Sequence, residues 1–124
     1  MQKYFRLLRR FGIAALLLGT GHAALAHAVL MTSTPQPGGT VASGHVGIAL
    51  HYNSRIDRLR SRISLTRPDG SQSVLPIAAD SPADALDAVT ELSAGAYVLH
   101  WQVLAIDGHI TRGDVPFSVA GPAR

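Results

Sequence analysis

Short apolar runs separated by turn residues about every ten positions are the feature that most constrains this chain. Residues 45–52 alternate between apolar and polar side chains, and residues 97–106 do so over the longest such run. Because successive side chains of a strand point to opposite faces, this period of two predicts strands with one apolar face. Pro68, Asp69 and Gly70 form a strong hairpin-turn signal between two further runs. The chain is therefore predicted to be an all-β domain.

The alternation also predicts which side chains point inward. In the two alternating runs they are Val46, Ile48, Leu50, Tyr52, Tyr97, Leu99, Trp101 and Val103. All runs together make about seven strands, which predicts a Greek-key β-sandwich or barrel of immunoglobulin-like or cupredoxin-like type. Residues 53–66 fit helical or strand spacing, and we favour a loop to about Arg58 and then a strand. A loop over residues 107–113 precedes the last strand, residues 115–119, which Pro116 predicts to be an edge strand.

The amino-terminal segment has the order of a secretory signal peptide. Residues 1–10 carry four positive charges and no acid, residues 11–18 are largely apolar, and an Ala-x-Ala cleavage site ends at Ala26. The apolar run is shorter than the roughly 20 residues that a transmembrane helix needs. We predict a signal peptide over residues 1–26, cleaved after Ala26, and a mature domain of residues 27–124 in a bacterial periplasm. A short membrane anchor or a buried helix is the alternative, and Sec or Tat export stays open.

Charge and cysteine content exclude several classes of function. Without the leader the domain has 98 residues, with seven basic against eight acidic side chains, so the high isoelectric point belongs to the leader. The basic footprint of a nucleic-acid-binding protein is therefore absent. The lack of cysteine excludes disulfides, thiolate zinc sites and a cysteine nucleophile. No motif of a hydrolase, nucleotide-binding protein or glycosidase is present, so we expect no small-molecule substrate, and we expect a monomer.

Two features of the mature domain could bind a metal. Cleavage after Ala26 makes His27 the amino terminus, where the α-amine and the imidazole Nδ1 can chelate one metal ion. Asp107 and His109 are two positions apart, so in extended backbone their carboxylate and imidazole point the same way. Nitrogen-rich tetragonal sites favour Cu(II). Each feature alone also occurs by chance. Many mature proteins begin with a polar residue, which is sometimes histidine, and Asp-Gly is an ordinary turn sequence.

Both features lie within a longer pattern. The domain starts with HAVL and STPQPG, and it ends with LSAGAY, AIDGHITRG and FSV. This pattern resembles the CopC family of periplasmic copper-binding proteins over essentially the whole mature domain. The resemblance implies a Greek-key β-fold and one Cu(II) per mature chain, bound by the amine and imidazole of His27 together with Asp107 and His109. It also implies a CopD-type inner-membrane copper transporter as the partner.

Three positions depart from patterns found in that family. Val29 stands where some members carry a second histidine, which implies the simpler ligand set. Met31 is the only methionine left after the leader, so no thioether site for Cu(I) is expected. Ala105 stands where a serine is often found two residues before the motif aspartate, which removes a hydrogen bond that could support the site.

Three functions remain open at this stage. We expect a periplasmic protein that buffers or carries Cu(II) in copper resistance and homeostasis, and not an enzyme. One alternative is a mononuclear copper oxidase with an amino-terminal histidine brace, although Asp107 would take a position that an oxidase keeps open for oxygen. The other alternative is a metal-free immunoglobulin-like interaction module, for which the free amine has no special role.

The remaining histidines and the arginines have simpler interpretations. His45 and His51 share the polar face of one predicted strand and are expected to face solvent, and His100 is expected on a sheet surface. An arginine-rich segment is expected to form a solvated face paired with the acidic residues of 80–91, and docking of an acidic partner is the alternative. Its members are Arg55, Arg58, Arg60, Arg62 and Arg67.

Export is expected to produce a protein that starts at His27, because the cleavage signal ends at Ala26. Intact-mass spectrometry of protein isolated from the periplasm measures this start directly. Replacing Ala26 by arginine should retain the leader, since the position before the cleaved bond must be small. A mature start at any other residue would remove the amine chelate from His27.

Overall fold

Apolar alternation along the chain produces eight β-strands in the computed structural model, which describes residues 27–122. The strands are β1 Leu30–Thr34, β2 Thr40–Ala42, β3 Gly44–Tyr52, β4 Ile56–Thr66, β5 Gln72–Leu75, β6 Ala85–Leu92, β7 Gly95–Ala105 and β8 Ile110–Ala120. They form a three-stranded sheet, β1-β3-β6, and a five-stranded sheet, β2-β8-β7-β4-β5. Within the described part, no helix is long and apolar enough to span a membrane. The predicted signal peptide lies outside the described residues.

The core lies between the two sheets. Each predicted inward side chain of β3 and β7 is buried, which confirms the strand assignment and the all-β sandwich. Tyr52 of the first sheet packs edge-on against Trp101 of the second, with ring centroids 5.3 Å apart. Tyr97 stacks on Phe117 of the neighbouring strand at 5.6 Å. Burial of these apolar faces drives the two sheets together.

The start of β4 differs from the sequence prediction. The strand begins at Ile56, two residues before the predicted end of the loop, because Ile56 is buried and pairs with Ala105. A large bulge follows, since the register passes from Asp57 opposite Leu104 to Arg62 opposite Gln102. The bulge residues interrupt the period of two, and this interruption produced the ambiguous spacing in the sequence.

The bulge is held by hydrogen bonds around Asp57. Its carboxylate Oδ1 accepts the Arg60 backbone N–H at 3.2 Å, and its carbonyl oxygen accepts the Ser61 hydroxyl at 2.6 Å. The Ser61 hydroxyl oxygen in turn accepts the Leu104 N–H of β7 at 3.2 Å. A side chain therefore replaces the ladder bond that the bulge removes.

The position of the last strand also corrects the sequence prediction. Strand β8 begins at Ile110, so the predicted loop to residue 113 is shorter, and β8 is not an edge strand because β2 pairs with its end in parallel. Pro116 is tolerated there because its carbonyl oxygen accepts the Gly38 N–H at 2.7 Å. The nitrogen of a strand residue points to the same side as its carbonyl, so the proline nitrogen faces away from β7 and no ladder bond is lost. The three-residue β2 raises the predicted seven strands to eight.

The β7–β8 hairpin fixes the loop on which the metal-site prediction depends. Its register runs without a shift from Gly95 opposite Val119 to Leu104 opposite Ile110. The turn closes with the Ala105 N–H donating to the His109 carbonyl at 2.8 Å. Gly108 has a φ of 90°, a conformation that favours glycine. Residues 106–109 therefore form a short, hydrogen-bonded loop at one end of the sandwich.

Gly113→Ala is expected to lower the free energy of unfolding by about 1–3 kcal/mol, the range for an overpacked core. Gly113 lies opposite Trp101, and a Cβ at this position would overlap the indole ring. Gly47→Ala in β3 is the matched control, because its Cβ would enter open space and the change should stay within about 0.5 kcal/mol. Urea unfolding followed by circular dichroism measures both variants. Equal stability of the two variants would contradict the packing.

Candidate metal centre

The loop after β7 brings Asp107 and His109 into direct contact. The Asp107 Oδ1 accepts the His109 backbone N–H at 3.1 Å, and the Asp107 Oδ2 lies 3.1 Å from the His109 Nδ1. The first bond is an Asx turn, for which aspartate before glycine is well suited. The two side chains that the sequence placed two positions apart thus point to the same side of the loop.

His27 lies beside the same loop. Its imidazole ring centroid is 4.7 Å from that of His109, and the two rings are nearly perpendicular at 85°. The structure therefore places all three predicted ligand residues at one end of the sandwich, although His27 and His109 are separated by most of the described chain. His27 and His109 are exposed to solvent.

Electrostatics keep the Asp107 carboxyl in its anionic form. The backbone N–H of His109 lowers the pKa of Asp107 most, desolvation is the next largest effect and opposes it, and the His109 side chain and His27 each lower the pKa by less. The carboxyl stays ionised below its usual titration range. A carboxylate next to two imidazoles is a donor set that suits a divalent transition-metal ion.

The side chains alone do not yet form a metal site. Within residues 27–122, no group of three or more His, Cys, Asp or Glu side chains has the arrangement of a metal centre. The His109 Nδ1 contacts Asp107 instead of a point that the three side chains share, and the backbone nitrogen of His27 is a peptide nitrogen until residues 1–26 are removed. The full ligand set therefore stays a prediction, and it depends on processing.

The other described histidines contact neither His27 nor the loop of Asp107 and His109. His45 is exposed on β3, and His51 is half exposed and contacts Asp84 at 2.7 Å, so both face solvent as predicted. His100 bridges two strands on the outer face of the larger sheet, with Nδ1 2.7 Å from Asp114 and Nε2 2.8 Å from Thr66.

The predicted pairing of the arginine-rich segment with the acids of 80–91 is wrong. Among the described residues its only ion pair with a carboxylate is Arg60 with Asp57, at 3.7 Å. Arg58 donates to the Ala79 carbonyl, and Arg67 donates to the Ser73 hydroxyl at 2.8 Å. These two side chains therefore donate to a backbone carbonyl and to a hydroxyl and not to the carboxylates of residues 80–91.

Two side chains that contact the segment after His27 were not among the site residues predicted from the sequence. The Thr111 hydroxyl donates to the Ala28 carbonyl at 3.1 Å, and the Asn53 Oδ1 accepts the Val29 N–H at 2.8 Å. Neither residue type carries a metal-ligand signal. The signal that could have found Thr111 was its position four residues before the buried Val115, which places it on the inner face of β8.

Comparison with known proteins identifies the family. The CopC domain matches residues 30–120, which is most of the chain. The chain belongs to the CopC family. Its matched region runs from the start of β1 to the end of β8, so it includes Asp107 and His109 and begins three residues after His27. No curated protein matches the chain.

Solved structures of CopC proteins share the fold. CopC from Methylosinus trichosporium OB3b is 26% identical with a TM-score of 0.67, covering 79% of this chain and 98% of that one. PcoC, a methionine-rich copper resistance protein from Escherichia coli, is 24% identical with a TM-score of 0.66, covering 77% of this chain and 100% of that one. The second likeness shows the fold alone. Together they confirm the resemblance on which the sequence analysis relied.

The Asp107 carboxyl is expected to titrate below its usual range in the metal-free processed protein. Because its pKa is depressed by folding, Asp107 stabilises the fold above its unfolded-state pKa, and this contribution is lost as the pH falls through the folded-state pKa. His109→Ala should raise the pKa only part of the way, since the backbone N–H at position 109 remains. Carboxyl NMR titration measures the shift.

The carboxyl of Asp84 is the internal control for that titration. His51 lowers its pKa through a side-chain hydrogen bond, so it should titrate identically in the His109→Ala variant. An Asp107 pKa that does not move in this variant would show that the two side chains are apart in solution.

Proposed function

We propose that this CopC-family protein is a periplasmic copper resistance protein that binds one Cu(II) per mature chain and buffers or carries it. The observation that carries this proposal is the approach of His27 to His109, at a ring-centroid distance of 4.7 Å, beside the ionised carboxyl of Asp107. The predicted signal peptide over residues 1–26 supports a periplasmic location. The family match supports copper as the cargo.

The donor set favours Cu(II). The processed protein offers the His27 amine, two imidazoles and one carboxylate, and nitrogen-rich sets of this kind suit tetragonal Cu(II). Soft thioether ligands select Cu(I) instead. Met31 is the only methionine beyond the leader, and its side chain is 62% exposed on β1. The protein therefore differs in composition from the methionine-rich PcoC, and we propose no Cu(I) site.

Exposure of the site suits a carrier. The side chain of His109 is 53% exposed and that of Asp107 is 32% exposed, so a bound ion would remain accessible to an incoming ligand. Ligand exchange with a recipient protein then needs no unfolding of the sandwich. We propose that the recipient is a CopD-type inner-membrane copper transporter.

The copper oxidase is the second candidate, because an oxidase of this kind also starts with histidine. Asp107 argues against it, since as a ligand its carboxylate would take a coordination position that an oxidase keeps open for oxygen. We propose that the protein is not an enzyme. Adding a reductant and oxygen to the copper-loaded protein tests this proposal, and catalytic oxygen consumption above that of free copper would overturn it.

Cu(II) titration of the processed protein, monitored by electron paramagnetic resonance, tests the carrier proposal. We expect one axial, nitrogen-rich Cu(II) signal per chain. The control is the same domain with one residue added before His27, which removes the free amine from that residue. The Cu(II) affinity of this control should be lower than that of the processed protein by more than about 100-fold, beyond the range that loss of a supporting hydrogen bond produces.

Two further variants separate the site from adventitious binding. His109→Ala should weaken Cu(II) binding and change the spectrum, whereas His45→Ala, which removes an exposed histidine of β3, should change neither. Identical binding by the processed protein and the extended control would show that the terminal amine is not a ligand. If Cu(II) binding is also weak in both proteins, the metal-free interaction module would be the better description.

A further inference from the structure

Two side chains anchor the residues that directly follow His27. The side-chain Oδ1 of Asn53 accepts the backbone N–H of Val29 at 2.8 Å, and the backbone N–H of Asn53 donates to the carbonyl of Val29 at 3.0 Å. The Thr111 hydroxyl donates to the Ala28 carbonyl at 3.1 Å. Three hydrogen bonds thus hold two consecutive residues, although β1 itself begins only at Leu30.

The anchors come from different sheets. Asn53 directly follows β3 of the three-stranded sheet, and Thr111 is the second residue of β8 in the five-stranded sheet. The Ala28 side chain between them is only 2% exposed and belongs to the core. Residues 28 and 29 therefore connect the two sheets at this end of the sandwich.

This arrangement sets the position of His27 relative to His109. Thr111 is two residues after His109, at the start of β8. Its bond to Ala28 therefore connects the residue that follows His27 to the strand that follows His109. Chain ends are otherwise among the most mobile parts of a domain unless contacts hold them. The contact between the His27 and His109 rings is expected from the bond between Thr111 and Ala28.

We propose that Asn53 and Thr111 are positioning residues for the copper site and hold His27 beside His109 before the metal arrives. Neither residue binds copper in this proposal. It rests on the proposed function, because the anchored residue is the amino-terminal ligand. Without the anchors, the terminal segment would have to become ordered during binding, and that lost conformational freedom would weaken affinity.

The expected effect is a loss of Cu(II) affinity with the fold intact. Thr111→Val removes the hydroxyl and keeps the shape of the side chain, and it should weaken Cu(II) binding by about 10-fold, the lower range for residues that support metal ligands. Thr111→Ser retains the hydroxyl and should restore affinity. Thr90→Val, at a half-buried threonine of β6 in the other sheet, is the matched control and should bind as the parent does.

The anchoring can be measured in the metal-free processed protein. Amide hydrogen exchange at Val29 reports its bond to Asn53, and the nuclear Overhauser effect between the His27 and His109 rings reports their approach. Asn53→Ala should accelerate the exchange and weaken the ring contact, whereas Asn53→Asp retains an acceptor oxygen and should keep the exchange slow. These readouts do not require copper.

The spectrum of the copper-loaded variants distinguishes positioning from general destabilisation. In Thr111→Val and Asn53→Ala, a smaller fraction of Cu(II) should show amine coordination at a given pH, while urea unfolding of the Thr111→Val domain stays close to that of the Thr90→Val control. If either variant unfolds, the Val29 exchange and the ring contact in the unmodified domain still test the anchors.

Failure of this inference and failure of the proposed function give different results. Amine-dependent Cu(II) binding that is unchanged in Thr111→Val and Asn53→Ala would overturn the positioning role alone. Binding that is indifferent to a residue added before His27 would overturn the proposed function. Fast Val29 exchange in the unmodified domain would overturn the anchoring itself.

Discussion

The apolar layer between the two sheets is the constraint on which the candidate site depends. Val46, Leu50 and Tyr52 of β3 are buried against the face that carries Leu99 and Trp101 on β7. A slip of one residue would turn each of these side chains to the opposite face, so burial determines the register as well as the fold. The register of the β7–β8 hairpin in turn determines which residues form the loop at the end of the sandwich.

The candidate site is assembled from two parts of the chain that meet at that end. The loop supplies Asp107 and His109, whose mutual contact is local and follows from an Asx turn. The segment before β1 supplies His27, and its approach to His109 is not local. The anchored segment of Ala28 and Val29 connects the two contributions through the bond from Thr111 to Ala28. The exposed position of these residues at one end of the sandwich supports the proposal that the protein holds copper for exchange rather than for chemistry.

Local interruptions explain where prediction from the sequence was incomplete. Alternation identified β3 and β7 because both are regular and buried on one face. It was ambiguous over the start of β4, where the bulge stabilised by Asp57 and Ser61 breaks the period of two. It assigned Pro116 to an edge, because a sequence does not show which side of a strand a proline nitrogen faces. The short β2 carries too few residues to produce a pattern.

The sequence by itself determined the all-β class and the inward faces of the long strands, and it predicted the processing signal and the three candidate ligands. These depend on the alternation of apolar residues and on local motifs, which are readable along the chain. Only the tertiary structure decided the pairing order, the bulge, and the anchoring of Ala28 and Val29 by Thr111 and Asn53. Those contacts join residues 83 and 24 positions apart. No local pattern encodes such distances, because they arise only when two sheets pack on a shared core.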